Sequence, residues 1–250
     1  MRPEPLLLRA SVGNAGHAGR AAPAKCDNGQ RKAATKPGSY TVTRRLLIPV
    51  LLAAASAFGQ YKLDTAGPAP SELAPAIRAA LQNDGVKIVA ANGSVVCEVW
   101  LRTAAPSGPP ATELGITLTT IPHGALLGAI RFPSQGTDRR SLPIKPGVYT
   151  LRLSYFPPDG NHQGIAPQRD FFLMSLAADD TDLNAAPNFA DLTKMSARAT
   201  GTNHPASLSV WKAEASQAAG FVKEGDSDWI LYTKIGDIPI GVILIGAFQG

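Results

Sequence analysis

The sequence has little charge, little cysteine and none of the common catalytic signatures. Charged residues make up only 17% of its 250 residues, whereas hydrophobic residues make up 44%. That balance is typical of a single globular domain, with or without an extension. No G-x-S-x-G, P-loop or G-x-G-x-x-G pattern occurs, so neither a nucleophile-elbow hydrolase nor a nucleotide or dinucleotide enzyme is indicated.

Basic residues are scarce outside the N-terminus, although the net charge is +5. Residues 1–45 hold nine of the 24 Lys/Arg and two of the 19 Asp/Glu, whereas residues 46–250 hold 15 and 17. Binding to a phosphate backbone needs clustered positive charge, which the slightly acidic body of the chain does not have. We therefore predict that the protein has no nucleic-acid partner.

The longest uninterrupted apolar run near the N-terminus is too short to cross a bilayer. It covers residues 46–55, follows two arginines and precedes small residues, whereas a membrane span needs about 20 apolar residues. The order of charged, apolar and small residues predicts a signal peptide over 42–59, cleaved after Ala57 or Gly59. The mature chain is then exported, periplasmic or extracellular, and has no transmembrane segment.

Residues 1–41 have no periodic apolar pattern and predict a disordered extension. Initiation at Val42 through a non-Met codon would leave them outside the protein altogether. Cys26 lies in this extension, so Cys97 is the one cysteine of the predicted mature domain, 60–250, and no internal disulfide is possible. Cys97 falls on the apolar side of an alternating run, which predicts a buried, unreactive thiol.

The mature region predicts nine short strands and two helices. In "GVYTLRLSYF" polar and apolar residues alternate, which is typical of a half-buried antiparallel strand. Asn92-Gly93 between two apolar runs predicts a type I′ hairpin, and "LGITLTTI" over 114–121 is predicted to be a further strand. The three tryptophans lie inside apolar strands and are predicted to belong to the core rather than to a sugar-binding platform.

The two helices are predicted from their caps and their apolar spacing. One begins with Ser71 as cap and ends at Gly85; the other is "NFADLTKMSARATG", ended by Gly201. The elements show no βαβ rhythm. The predicted fold is therefore mostly β, an antiparallel β-sandwich with two short helices.

The candidate ligand-binding site is the loop "DGNHQGIAPQRD" between two predicted strands. Pro167 stiffens its far side, and loops held by a rigid scaffold often carry function. An arginine there can bind a carboxylate through two parallel hydrogen bonds. The candidate ligand-binding residues are Asp159, Asn161, His162, Gln168 and Arg169. The alternative is a turn whose polar side chains only satisfy its own backbone.

Two metal sites are also conceivable. Zinc would need His162 with His123 or His204 and nearby aspartates, and that site would make the protein a metal-dependent hydrolase or a metal-binding protein. Calcium would use Asp180, Asp182 and Asp191, whose spacing partly matches a calcium loop. The match is incomplete because the position of the sharp turn holds alanine instead of glycine. The first expectation is no cofactor, with zinc and calcium as the alternatives.

Two segments, "IKPGVYTLRLSYFPPDGNHQGIAPQRDFFLMSLAADD" and "GDSDWILYTKIGDIPIGVILIG", resemble hypothetical exported proteins of soil bacteria that have no assigned activity. The resemblance covers most of residues 60–250 and implies an exported β-sandwich. No catalytic residue is carried over from it. The resulting prediction is a non-enzymatic binding or structural module of the cell envelope or periplasm, whose partner is a small molecule or an envelope component.

Overall fold

A computed structural model describes residues 60–158 and 168–248. The predicted N-terminal extension and signal peptide lie outside the described residues, as does part of the predicted ligand-binding loop, 159–167. The described chain contains ten strands of one antiparallel sheet, a two-stranded ribbon and two helices. The prediction of a mostly β, antiparallel fold with two helices is thereby confirmed.

In chain order the strands are β1 (Tyr61–Gly67), β2 (Gly85–Ala90), β3 (Val95–Leu101), β4 (Leu126–Phe132), β5 (Gly136–Thr137), β6 (Pro143–Ile144), β7 (Gly147–Tyr155), β8 (Asp170–Leu176), β9 (Ser207–Lys212), β10 (Gly220–Glu224), β11 (Asp228–Ile235) and β12 (Ile238–Ile245). The helices are α1 (Pro75–Ala80) and α2 (Phe189–Thr200). Strands β5 and β6 form the ribbon, and the large sheet has the order β1-β2-β3-β4-β7-β8-β9-β12-β11-β10.

Strand β9 joins two portions of the large sheet. Its residues 207–209 pair with β8, and its residues 210–212 pair with β12. The two end strands also approach each other, since the Tyr61 ring of β1 lies 6.2 Å from Phe221 and 5.0 Å from Trp229. The result is one large, nearly closed sheet rather than two separate sheets.

The interior of this sheet is filled by the alternate apolar residues of its strands. Ile88, Val99, Leu151 and Phe172 belong to this main core. Cys97 is part of the same core and fully buried, and desolvation raises the pKa of its thiol to about 12. The burial of this thiol, predicted from the sequence, is confirmed, and the raised pKa disfavours the nucleophilic thiolate.

The outer face of β7 is covered as well, so the prediction of a half-buried strand was wrong. Every residue of β7 after Gly147 is buried. Thr150 and Arg152 hydrogen-bond to Asp180 from the segment that follows β8. Polar outward residues there are therefore satisfied by protein groups instead of water.

The predicted first helix is much shorter than its pattern suggested. Helix α1 begins after Ala74, which makes no side-chain cap, and Pro75 occupies a first-turn position where a missing N–H costs little. Gly85 starts β2 instead of ending the helix, and a Cβ there would collide with the Trp100 ring. Ile77 of α1 packs with that ring in a second apolar cluster on the outside of the sheet.

The predicted second helix is confirmed as α2. Asn188 caps it by accepting a hydrogen bond from the Asp191 N–H at 3.0 Å, and Gly201 ends it with φ +70°. Among residues 60–158 and 168–248, no helix is long and apolar enough to span a bilayer.

Two further local predictions need correction. The β2–β3 hairpin lies where Asn92-Gly93 indicated, but its loop has three residues, 91–93. Among these three residues just Gly93 has a positive φ, whereas a type I′ turn is a two-residue loop in which both residues have a positive φ. Residues 114–121 form no strand, because hydrogen bonds to the Asp170 side chain take up the backbone N–H groups of Thr117 and Leu118.

Candidate ligand-binding loops

The segment 113–121 covers one end of the main core and is held there by a buried carboxylate. Asp170, the first residue of β8, accepts hydrogen bonds from the Thr117 N–H at 2.8 Å and the Leu118 N–H at 2.9 Å. Ile116 and Leu118 point into the core. Burial raises the pKa of Asp170, and these hydrogen bonds partly oppose the rise.

Arg169 ties the same segment to the neighbouring strand end. Its Nε donates to the Phe156 carbonyl at 2.7 Å, and its Nη1 donates to the Leu114 carbonyl at 2.6 Å. Its Nη2 donates to Glu113 Oε2 at 2.9 Å. The Arg169 side chain is 20% exposed. Three of its five N–H groups are therefore used by the residues that the structure describes, and two have no acceptor among them.

Gly115 makes this close approach possible. Its φ is +79°, and its carbonyl accepts the Arg169 backbone N–H at 3.2 Å. A Cβ at position 115 would lie 3.1 Å from Arg169 Cδ. A residue with a side chain would be strained in this backbone conformation and would press on the arginine stem.

His123 lies on the same end of the molecule. Its Nε2 is 3.0 Å from Ser154 Oγ, and its ring meets Tyr155 edge-on at 5.5 Å. Burial lowers the pKa of His123, while the Glu113 carboxylate opposes this shift. Burial, with the charges of Asp170 and Glu113, raises the pKa of Tyr155 to about 12. Ser154 is fully buried, so its pairing with His123 gives no nucleophile that a substrate can reach.

Two of the five predicted ligand-binding residues fall in the described chain. Gln168 and Arg169 are both half-buried, whereas Asp159, Asn161 and His162 lie outside the described residues. The structure adds Glu113 to this group, and sequence reasoning missed it. It lies 56 positions from Arg169, and no local pattern signals a partner at that separation.

The predicted calcium residues lie in a segment that already surrounds a cation, the guanidinium of Arg152. Arg152 is fully buried. Its Nε and Nη2 donate to the two oxygens of Asp180, each at 2.7 Å. Its other N–H groups donate to the backbone carbonyls of Asp182, Ala185 and Gly124. All five donors of this arginine are used.

The other two predicted calcium residues make local contacts. Asp182 Oδ1 accepts from the Asn184 N–H at 2.9 Å, and the Asp191 carboxylate accepts from Asn188 Nδ2 at 2.8 Å at the start of α2. Across the described chain, no three His, Cys, Asp or Glu side chains are grouped to hold a metal ion. His204 is exposed in the loop after α2.

The tryptophans form no exposed row. Trp100 is buried and donates to the Gly67 carbonyl at 2.8 Å. Trp211 meets Tyr232 edge-on at 6.1 Å, and Trp229 stacks on Phe221 at 5.4 Å; both are half-buried.

Comparison with known proteins returns no relative: no protein-family model matches the chain, and no curated protein or solved structure shows significant similarity to it. Function is therefore argued from the geometry of this chain alone. The resemblance to hypothetical exported proteins stays a prediction.

Proposed function

We propose that the protein is an exported, non-enzymatic binding or structural module of the cell envelope or periplasm. It binds its ligand at the end of the sheet where Arg169 joins residues 113–118. We further propose that the two portions of the sheet that share β9 pack face to face as a β-sandwich. In packed sheets, a strand can pass from one sheet to the other by pairing with different neighbours through its two halves, as β9 does.

The observation that carries the proposal is the fixed position of the Arg169 guanidinium. Three hydrogen bonds hold this group in place, so a ligand that binds it does not pay the entropy cost of ordering the side chain. Two further N–H groups have no acceptor among the described residues. Its charged partner Glu113 is 57% exposed. Exposed ion pairs contribute about 0–1 kcal/mol, so a second carboxylate can compete with Glu113 or join it.

The ligand chemistry that fits best is a carboxylate attached to a short apolar group. Guanidinium groups bind carboxylates through charge-assisted hydrogen bonds. The Leu114 side chain belongs to the same residue as the carbonyl that Arg169 holds, and it is 90% exposed. It offers an apolar surface beside a fixed positive charge.

Binding is favoured over catalysis by the burial of the two candidate nucleophiles. Ser154 Oγ and Cys97 Sγ belong to fully buried residues, whereas a nucleophile must reach its substrate. The alternative, a metal-dependent hydrolase using His162 with His123 or His204, depends on a residue outside the described chain. Elemental analysis of the protein, purified without chelator, distinguishes the two: stoichiometric zinc would support the alternative.

Export is supported by the position of the first strand. β1 begins at Tyr61, two residues after the predicted cut at Gly59, and the Gln60 carbonyl accepts the Ala91 N–H at 3.0 Å. Cleavage after Ala57 or Gly59 would leave the sheet intact. N-terminal sequencing of the protein from a periplasmic extract should give Phe58 or Gln60. An unprocessed chain that stays in the cytoplasm would contradict export.

Binding is tested by calorimetric titration with hexanoate, which carries the charge and the apolar chain, and with hexanamide, which lacks the charge. Hexanoate should bind the wild-type protein and bind Arg169→Ala at least about tenfold more weakly, the loss expected for a charge-assisted hydrogen bond. Arg198→Ala is the matched control, because Arg198 is a surface residue 60% exposed in an ion pair on α2. Equal binding by both variants would overturn the site.

A further inference from the structure

The open edge of β1 has backbone groups that no described strand uses. β1 is the first strand in the order of the large sheet, and β2 is its only partner among the described strands. The opposite end strand β10 approaches β1 at the Tyr61 ring but forms no ladder with it. Four of its residues, 62–65, are exposed, including Leu63 at 42%. An exposed edge with an apolar residue at its middle is a surface on which another strand can pair.

The hydrogen bonds of β1 show which of its residues face the open edge. The Gln60 carbonyl accepts from Ala91, which extends the β1–β2 register. Successive residues of a strand direct their N–H and C=O groups to opposite edges, so the backbone groups of Lys62 and Asp64 point towards β2. The backbone groups of Tyr61, Leu63 and Thr65 then point towards the open edge. The Thr65 N–H donates to the Asp64 side chain at 2.9 Å, as expected of a donor that no described strand pairs with.

Charges of alternating sign cross the sheet and end at this edge. Asp64, Lys87, Glu98 and Arg131 lie directly opposite one another on β1, β2, β3 and β4. Lys87 Nζ is 3.8 Å from Asp64, and Arg131 is paired with Glu98. The next strand beside β1 would continue the pattern if it placed a cation opposite Asp64.

We infer that β1 pairs with β1 of a second copy of this chain, antiparallel and centred on Leu63. The twofold axis places Leu63 opposite Leu63 and Lys62 of each copy opposite Asp64 of the other. The outward-facing residues then exchange the backbone hydrogen bonds. The charged pairs fall at the positions without such bonds, where side chains approach most closely.

The charges also favour this strand register over the two registers shifted by one residue. Shifting the centre by one residue places Lys62 opposite Lys62 or Asp64 opposite Asp64, and like charges directly opposite each other are destabilising. A single pair of short strands buries less area than stable dimers do, which is typically about 1,600 Å². The expected dimer is therefore weak and forms at high protein concentration.

The test is sedimentation equilibrium of the purified protein from about 10 μM to 1 mM, spanning the affinities of weak interfaces. The wild-type protein should dimerise in this range. Lys62→Asp and Asp64→Lys should each weaken the dimer at least about tenfold, since each turns two attractive pairs into repulsive pairs. An equimolar mixture of the two variants should restore dimerisation, because each then supplies the charge that the other lacks.

Lys223→Asp on β10 is the matched control, because it reverses a charge on the opposite end strand of the sheet. It should leave dimerisation unchanged. Circular dichroism and the melting temperature should show that all variants fold. A wild-type protein that stays monomeric at 1 mM would overturn the inference. So would a dimer sensitive to Lys223→Asp alone, or a mixture that stays monomeric.

Discussion

Arg152 lies within β7, Arg169 directly precedes the neighbouring strand β8, and each holds a loop, yet their surroundings differ. Arg152 lies on β7, is fully buried, and donates all five of its N–H groups to one carboxylate and three carbonyls. Arg169 lies just before β8, is 20% exposed, and donates three to described residues.

The difference distinguishes a structural arginine from the arginine that we propose as a ligand-binding residue. A buried cation must be completely satisfied, because each unpaired donor would cost about 1–3 kcal/mol. A partly exposed cation can leave donors to water and exchange water for a ligand. Arg152 therefore stabilises the fold, whereas Arg169 is held by three hydrogen bonds and has two N–H groups without an acceptor among the described residues.

Arg152→Met should cause the largest loss of stability of the proposed changes. The change leaves Asp180 as a buried, unpaired carboxylate, and breaking a buried ion pair typically costs 3–5 kcal/mol, so we expect a loss of about that size. Urea denaturation measures it. Arg198→Met, which removes an exposed pair with Asp179, is the control and should cost less than about 1 kcal/mol. Similar losses for both variants would show that Arg152 is not a structural centre.

Gly115→Ala changes the residue that packs directly against the Arg169 side chain. The positive φ of position 115 strains any residue with a side chain, which costs about 1–2 kcal/mol. The new Cβ also presses on Arg169 Cδ, so hexanoate affinity should fall along with the melting temperature. Gly93→Ala is the control, because Gly93 has a similar φ but open space around its Cβ position. It should lower stability without changing affinity.

Acidification should weaken the Arg169 region through His123. Burial lowers the pKa of His123 below its ordinary value of 6.5, so the unfolded chain takes up a proton that the folded protein resists. The stabilising contribution is present above pH 6.5 and is lost as the pH falls towards the folded pKa. Urea denaturation at pH 7.5 and 5.5 should show a larger loss for the wild-type protein than for His123→Gln. An equal loss of stability in both proteins would contradict the burial of the His123 ring.

Chelation should have the smallest effect. The oxygens of Asp180 and three nearby carbonyls already bind the Arg152 guanidinium. A bound ion would stabilise the folded state by mass action, so its removal would lower the melting temperature. We expect EDTA to shift it by less than about 1 °C, within the range of a negligible free-energy change. A fall of several degrees, reversed by calcium, would favour the calcium loop over the arginine.

Local patterns predicted the elements whose determinants are local. Helix α2 follows from its cap residues Asn188 and Gly201, and the hairpin between β2 and β3 from Asn92-Gly93. Helix α1 was overestimated because the apolar spacing extends beyond Ala80, where the helix ends. Gly85, which the pattern assigned to the helix end, begins β2 and packs against the Trp100 ring. The strand predicted over 114–121 has the right alternation but pairs with the carboxylate of Asp170 instead of a neighbouring strand.

The partners at the two arginines could not be predicted because they are distant in sequence. Arg152 and Asp180 are 28 positions apart, and Arg169 and Glu113 are 56 apart. Arg152 stands in an alternating strand where a polar residue predicts exposure to solvent. Arg152 is buried because residues 180–185, which follow β8, fold over this face of the strand.

The most direct test of the central claim is a nuclear magnetic resonance titration of the protein with hexanoate, followed through the backbone amide signals. We expect saturable shifts of the amides of Gly115, Thr117 and Arg169, and no such shifts with hexanamide. Shifts confined to another surface, or none at millimolar hexanoate, would contradict a carboxylate-binding site at Arg169.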